Sequence, residues 1–229
     1  MSRKSDNVTL TRNLILAFVA LMVVGVGTYG FLYVGGATGD SAFVAGRDWT
    51  ELDTPTGPTG GPGPHEVVEF FSYGCIHCKN FDPLIERWQE QLPRDVRFER
   101  APVSFSPVWG LLAQAYLTLE IEGALEANHQ RLFRAIHDQQ RQFLSAEQLA
   151  DYVEGRGISR ERFLDTFNSS RVRRKLAELD KLSRDARVRS VPTLLVANRY
   201  LVSMEGGRKR ALDIVDHLLE RERGQTEDG

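Results

Sequence analysis

Two cysteines three positions apart are the residues of this sequence best suited to chemistry. Cys75 and Cys78 are the only cysteines among its 229 residues. A pair with this spacing is a structural disulfide, half of a zinc site or a redox-active dithiol. A zinc site needs two further ligands, commonly Cys or His at a second paired spacing, and the sequence offers no such pair. Because a domain of this size does not need one disulfide for stability, the redox interpretation is favoured.

The elements on either side of the pair predict how the two sulfur atoms differ. "EVVEFF", residues 66–71, is typical of a buried strand, and residues 75–92 carry apolar side chains at helical spacing. Cys75 then stands at the start of a helix, where unpaired N–H groups and a partial positive charge favour a thiolate. We expect Cys75 to be a nucleophile of lowered pKa, and Cys78, further into the helix, to be the resolving thiol.

The rest of the folded region predicts an α/β protein with a helical block inside it. Residues 96–105 indicate a second strand, and residues 108–186 show helical patterns without a strand. Residues 191–206, "VPTLLVANRYLVSMEG", predict two strands joined as a hairpin through residues 197–199. An amphipathic helix, "RKRALDIVDHLLERE", then closes the domain.

The N-terminal region predicts a membrane anchor. Residues 14–34, "LILAFVALMVVGVGTYGFLYV", carry no charge and are long enough to cross a bilayer as a helix. Basic residues precede this run, so we expect a cytoplasmic segment at 1–13, a transmembrane anchor at 14–35 and everything else across the membrane. The alternatives are a signal peptide cleaved near Ala42 or Ala45 and a buried helix of a soluble fold.

Composition separates the anchor from the folded region and excludes one class of partner. Residues 36–65 are polar and rich in proline and glycine, which predicts a linker. The net charge is -2, from 29 basic and 31 acidic residues. This balance argues against a protein that binds nucleic acid.

The segment "EFFSYGCIHCKNFDP", the order of predicted elements and a downstream Val-Pro together resemble the DsbA-like thiol:disulfide oxidoreductases. The resemblance covers residues 66–222. It implies a thioredoxin fold in two parts, 66–107 and 187–222, around an all-helical insertion at 108–186. We expect the residues after this fold, 223–229, to form a frayed tail. The resemblance also implies an activity, which is to introduce disulfides into proteins exported to the bacterial periplasm.

The resemblance further implies which partners the protein has and that it uses no separate cofactor. The substrates are the thiols of unfolded exported proteins, and a membrane quinone-linked partner keeps the site oxidised. The redox-active disulfide between Cys75 and Cys78 replaces any cofactor, and we expect no metal. With the predicted anchor, the protein is expected to be a monomer in the inner membrane with its catalytic domain in the periplasm.

The resemblance implies roles for three residues inside the motif. Cys75 matches the nucleophile of the family and Cys78 its resolving cysteine. His77 matches a histidine that stabilises the thiolate of the reduced form, although the spacing alone also fits a plain exposed side chain. The sequence departs from the family at Ile76, where a proline is usual. Because the two residues between the cysteines tune the reduction potential, the strength of this oxidant stays open.

Two further pairs are candidate site residues. Val191 and Pro192 match the loop that faces the motif in thioredoxin folds. In that loop the proline follows a cis peptide bond, and the backbone of the preceding residue pairs with the substrate peptide. The alternative is a trans proline that begins an edge strand. Glu69 is a charged residue in an otherwise apolar strand, and Arg100 matches a lysine that accompanies it in the family. This pair could tune the cysteine pKa, unless Glu69 points to water from an edge strand.

Two other functions remain compatible with the sequence. One is a membrane-anchored disulfide reductase or isomerase on the same fold. The other is a peptide-binding or chaperone module whose cysteines are incidental.

Overall fold

The computed structural model describes residues 15–26, 43–57 and 65–227. Residues 15–26 form a helix, α1, within an N-terminal unit that ends at Phe43. A second compact unit begins at Val44 and contains every element named below.

The predicted transmembrane anchor is not supported. Residues 15–26 are the part of this N-terminal helix that the structure describes. Across the three described ranges, no helix is both long enough and apolar enough to cross a membrane. The predicted localisation as a single-pass inner-membrane protein is therefore wrong. The predicted cytoplasmic segment at 1–13, like the remainder of 14–35, lies outside the described residues.

A mixed five-stranded sheet forms the centre of the second unit, in the order β1-β5-β4-β2-β3. Strands β2 and β3 are parallel, and the other neighbours are antiparallel. Strand β2, which leads into the cysteine motif, is thus an inner strand. The strands are β1 (Trp49–Glu51), β2 (His65–Phe71), β3 (Val96–Pro102), β4 (Thr193–Val196) and β5 (Tyr200–Val202).

The described part of this unit contains seven helices, and five of them are inserted between β3 and β4. This insertion and the β4–β5 hairpin agree with the sequence prediction. The helices are α2 (Ile76–Gln89), α3 (Pro107–Ile121), α4 (Leu125–His137), α5 (Ala146–Val153), α6 (Arg160–Phe167), α7 (Ser170–Asp185) and α8 (Arg208–Glu227). The predicted tail at 223–229 is corrected, because α8 continues to Glu227 and Arg223 forms an ion pair with Asp95 at 2.7 Å.

The predicted linker at 36–65 is also corrected, because part of it belongs to the sheet. Strand β1 pairs with β5, and Trp49 is only 4% exposed. The preceding Asp48 accepts hydrogen bonds from Arg210, with the Nη2–Oδ1 distance 2.9 Å. A three-residue strand in a polar stretch has too little pattern to be recognised, since only its long-range partners hold it in place.

Two apolar cores meet around the end of β2. Val68 and Phe70 point to one face of the sheet, where they pack with Ala186 and the partly buried residues of α7. Phe71 points to the other face and joins the core of the helical insertion, together with Cys75 and Cys78. The cysteine motif therefore lies where the sheet and the insertion meet, and both parts of the fold fix its position.

Candidate active site

Cys75 is the N-cap residue of α2, so its sulfur faces the unpaired N–H groups of the first helical turn. Its Sγ accepts a hydrogen bond from the backbone N–H of Cys78 at 3.2 Å. The first turn contains no acidic residue that would oppose a negative charge on sulfur. Both cysteines are free thiols in the structure. Helix geometry thus offers the Cys75 thiolate the donors that the sequence predicted.

The two sulfur atoms have opposite pKa shifts. A hydrogen bond from the Cys78 thiol, followed by the N–H groups of Cys78 and His77 and the charge of His77, outweighs burial and lowers the pKa of Cys75 to about 6. Burial, together with the hydrogen bond to Cys75, raises the pKa of Cys78 well above that of an ordinary thiol. At neutral pH the pair therefore holds one thiolate, on Cys75, and one proton, on Cys78.

The two residues between the cysteines are both exposed. The imidazole of His77 lies close enough to Cys75 to favour its thiolate electrostatically. Ile76 is 44% exposed and presents an apolar side chain beside the reacting sulfur. Because Ile76 has its own N–H group and a free φ angle, it lacks the rigidity that a proline would bring to this helix start.

The Val191–Pro192 loop lies against Cys75, and its peptide bond is cis. The Sγ of Cys75 lies 3.4 Å from the carbonyl oxygen of Val191, to which it can donate a hydrogen bond only as a protonated thiol. Val191 is partly buried and Pro192 is buried. Strand β4 begins directly after this loop and fixes it beside the cysteine motif.

Glu69 and Arg100 form the predicted ion pair beneath the motif. They are register neighbours on the parallel strands β2 and β3, and the Nε–Oε2 distance is 3.1 Å. Glu69 is 1% exposed on an inner strand, so the alternative of an edge residue facing water is excluded. Burial raises the pKa of Glu69 to about 7, although Arg100 opposes the shift.

Three further buried polar residues extend this ion pair, and the sequence analysis missed them. Asp82 accepts from Arg100 Nη2 at 2.8 Å and lies 3.0 Å from Nε2 of His129. The other ring nitrogen of His129 lies 2.8 Å from the hydroxyl of Tyr73. Burial lowers the pKa of His129 and raises that of Tyr73, so both are neutral. Since a carboxylate only accepts, His129 donates from Nε2 to Asp82 and accepts from Tyr73.

Of these three residues, Asp82 could have been recognised from the sequence as a buried acidic residue. Asp82 follows Cys78 by four positions and precedes Ile85 by three, so it lies on the apolar face of α2. An acidic residue in that position needs a buried partner. His129 gave no signal, because it meets Asp82 only through the packing of α4 against α2, 47 positions along the chain.

Comparison with known proteins places this site in a family. A family model described as "DSBA-like thioredoxin domain" matches residues 66–218. The chain is 38% identical over 183 residues to the "Thiol:disulfide interchange protein DsbA" of Pseudomonas aeruginosa, covering 79% of this chain and 86% of that protein. A protein of the same name from Azotobacter vinelandii is 36% identical over 180 residues, with 78% and 84% covered.

Solved structures agree with these sequence relatives. The crystal structure of Pseudomonas aeruginosa DsbA superimposes with a TM-score of 0.77 at 37% identity, covering 82% of this chain and 98% of that chain. The oxidoreductase DsbA from Xylella fastidiosa gives a TM-score of 0.74 at 33% identity, with 80% and 98% covered. The mixed sheet, the helical insertion and the buried cysteine pair all fit this likeness. The chain belongs to the DSBA-like thioredoxin domain family.

Proposed function

We propose that this protein introduces disulfides into proteins exported to the periplasm, using the Cys75–Cys78 couple. As a member of its family, the chain is a thiol:disulfide oxidoreductase. The observation that carries the oxidising direction is the position of Cys75 Sγ at the start of α2, 3.2 Å from the N–H of Cys78, where the donors around it lower the pKa of the thiol to about 6. A stabilised thiolate favours the reduced couple, and a couple that prefers to be reduced takes electrons from its substrates.

The reaction proceeds in two exchanges that balance electrons and protons. A substrate thiolate attacks Cys75 Sγ in the oxidised protein, a substrate–Cys75 disulfide forms, and Cys78 leaves and is protonated. A second substrate thiolate then attacks the substrate sulfur of this mixed disulfide and expels Cys75 as a thiolate. The substrate has lost two electrons, which the Cys75–Cys78 pair now holds.

The site residues have complementary roles in this proposal. Cys75 is the better leaving group in the second exchange because its pKa is low. His77 stabilises the expelled thiolate, and the Val191 backbone beside Cys75 pairs with the substrate chain ahead of Pro192. Glu69, held by Arg100, is a carboxyl group near its titration midpoint at neutral pH, which suits a pKa-tuning role for the buried Cys78.

Continued turnover requires an oxidant for the reduced pair. We propose that a membrane quinone-linked partner accepts the two electrons from the Cys75–Cys78 dithiol. A disulfide on that partner would exchange with Cys75 by the same two steps run in reverse.

The test is oxidation of a reduced, unfolded protein that carries two cysteines. Stoichiometric oxidised protein should convert the substrate thiols to a disulfide, and Cys75→Ser should abolish the reaction. Cys78→Ser, supplied with substrate disulfide, should accumulate a mixed disulfide through Cys75. A Cys75→Ser variant that retained full activity would instead favour a chaperone module whose cysteines are incidental.

A further inference from the structure

A cleft of about 770 Å³ opens beside the redox site. It is lined by His77, by the α7–β4 loop that contains Val191 and Pro192, by the β5–α8 loop, and by residues of strands β1, β4 and β5. The carbonyl oxygen of Val191 is 3.4 Å from Cys75 Sγ. A chain segment in this cleft therefore lies alongside the sulfur that reacts.

The cleft carries an excess of positive charge. Arg187, Arg189 and Arg208 line it, against a single carboxylate, that of Glu205. Arg187 forms an exposed ion pair with Asp53 at 3.0 Å. In the described ranges, no carboxylate oxygen lies within 4 Å of the charged nitrogens of Arg189 or Arg208. Two guanidinium groups are thus available to a ligand.

The location of Arg208 adds to this charge. It is the first residue of α8, and the first turn of this helix contains no acidic residue. A helix N-terminus has a partial positive charge that favours Asp or Glu rather than Arg. The two basic residues that follow have acidic neighbours: Lys209 pairs with Asp213 at 3.3 Å and Arg210 with Asp48 at 2.9 Å. Gly207 and Arg208, at the start of α8, line the cleft, so the partial positive charge of this helix end adds to that of the Arg208 side chain.

The arginines have a different role from the groups that activate Cys75. The largest contributions that lower the pKa of Cys75 come from the thiol and N–H of Cys78 and from His77. The arginine charges are therefore placed to act on the ligand that occupies the cleft.

We infer that this cleft selects acidic peptide segments, with Arg189 and Arg208 as specificity-determining residues. The inference rests on the proposed function. An extended chain that pairs with the Val191 backbone directs its cysteine toward Cys75, and residues two positions away point to the same side. Asp or Glu at those two positions, before and after the substrate cysteine, meets the arginines. Residues one position away point out of the cleft.

The test compares the rates at which four monothiol peptides reduce the Cys75–Cys78 disulfide of the full-length protein. They carry Asp two positions on either side of the cysteine, Asp one position on either side, Ser throughout, or Lys two positions on either side. Each rate is divided by that of the same peptide with a small aromatic disulfide, which removes differences in intrinsic thiol reactivity. The peptide with Asp two positions away should react roughly tenfold faster than the Ser peptide at low salt.

Salt and charge reversal then identify the source of the preference. The advantage should shrink toward unity near 1 M salt, where the Debye length is about 3 Å. Arg189→Glu and Arg208→Glu should each lower the ratio of the Asp-peptide rate to the Ser-peptide rate. Arg94→Glu is the matched control, since this exposed residue precedes β3 at the opposite end of the sheet from Cys75.

The outcomes separate this inference from the proposed function. Equal normalised rates for the Asp and Ser peptides, or an equal loss of preference in Arg94→Glu, would overturn the selection of acidic segments. Failure of every peptide to reduce the disulfide would contradict the proposed function instead.

Discussion

At Cys75, several hydrogen-bond donors converge on one sulfur atom. The thiol of Cys78 and the N–H groups of Cys78 and His77 hold its pKa at about 6, compared with about 8.5 for an unperturbed thiol. The thiolate is therefore the main form of Cys75 at pH 7. Of the two residues between the cysteines, only His77 adds a charge to the groups that lower the pKa of Cys75.

Substitution of His77 tests that contribution. His77→Ser should raise the pKa of Cys75 and make the couple more reducing, because the thiolate form loses a stabilising charge. Each pKa unit corresponds to about 1.4 kcal/mol, or about 30 mV for this two-electron couple. Equilibration with a glutathione buffer measures the shift, and His65→Ser, at the far end of β2, should leave the potential unchanged. An unshifted potential in His77→Ser would remove His77 from the mechanism.

Glu69 predicts a pH dependence of stability. Its pKa is raised to about 7 in the fold, from about 4.3 when unfolded, so the folded state binds more protons between these values. The free energy of unfolding then falls as the pH rises through this window, by at most about 1.4 kcal/mol per pH unit. Glu69→Gln should remove this slope in urea unfolding of the oxidised protein, in which the cysteines do not titrate. Parallel pH profiles for the two proteins would contradict the raised pKa.

At the scale of elements, the sequence predicted the strands and helices that have strong local patterns. From Val67 to Phe71, strand β2 is apolar apart from Glu69. Helix α2 has a buried stripe, and the β4–β5 turn contains Asn198, a residue type that accepts the positive φ of 57° found there. Strand β1 and the contact of Asp82 with His129 could not be predicted. Both depend on partners far along the chain, and strand β1 has no periodic pattern of its own.

Strand β1 therefore provides a test at this scale. Trp49→Ala should lower the free energy of unfolding by about 3–5 kcal/mol, because the indole is buried and its loss leaves a cavity. Trp49→Phe should cost clearly less, since an aromatic ring stays in the core and the buried Nε1 has no partner among the described residues. Urea unfolding with a constant m-value measures both. A negligible effect of Trp49→Ala would mean that residues 44–52 act as a linker after all.

For the whole molecule, the sheet and the helical insertion assemble one site from distant segments. Strand β2 and helix α2 deliver the cysteines, β4 delivers the Val191–Pro192 loop, and the insertion covers Cys78 and raises its pKa. The sequence identified the segments that supply the site. The charge of the adjoining cleft emerged only from the structure, because its arginines come from the α7–β4 loop and from the start of α8.

The reduction potential of the Cys75–Cys78 couple tests the central claim most directly. The protein is equilibrated with defined ratios of reduced and oxidised glutathione, and its redox state is read after acid quenching and thiol alkylation. The lowered pKa of Cys75, about 6, predicts a couple that is clearly more oxidising than thioredoxin, with a potential less negative than about −270 mV. A potential near −270 mV, that of thioredoxin, would contradict the account and favour a reductase.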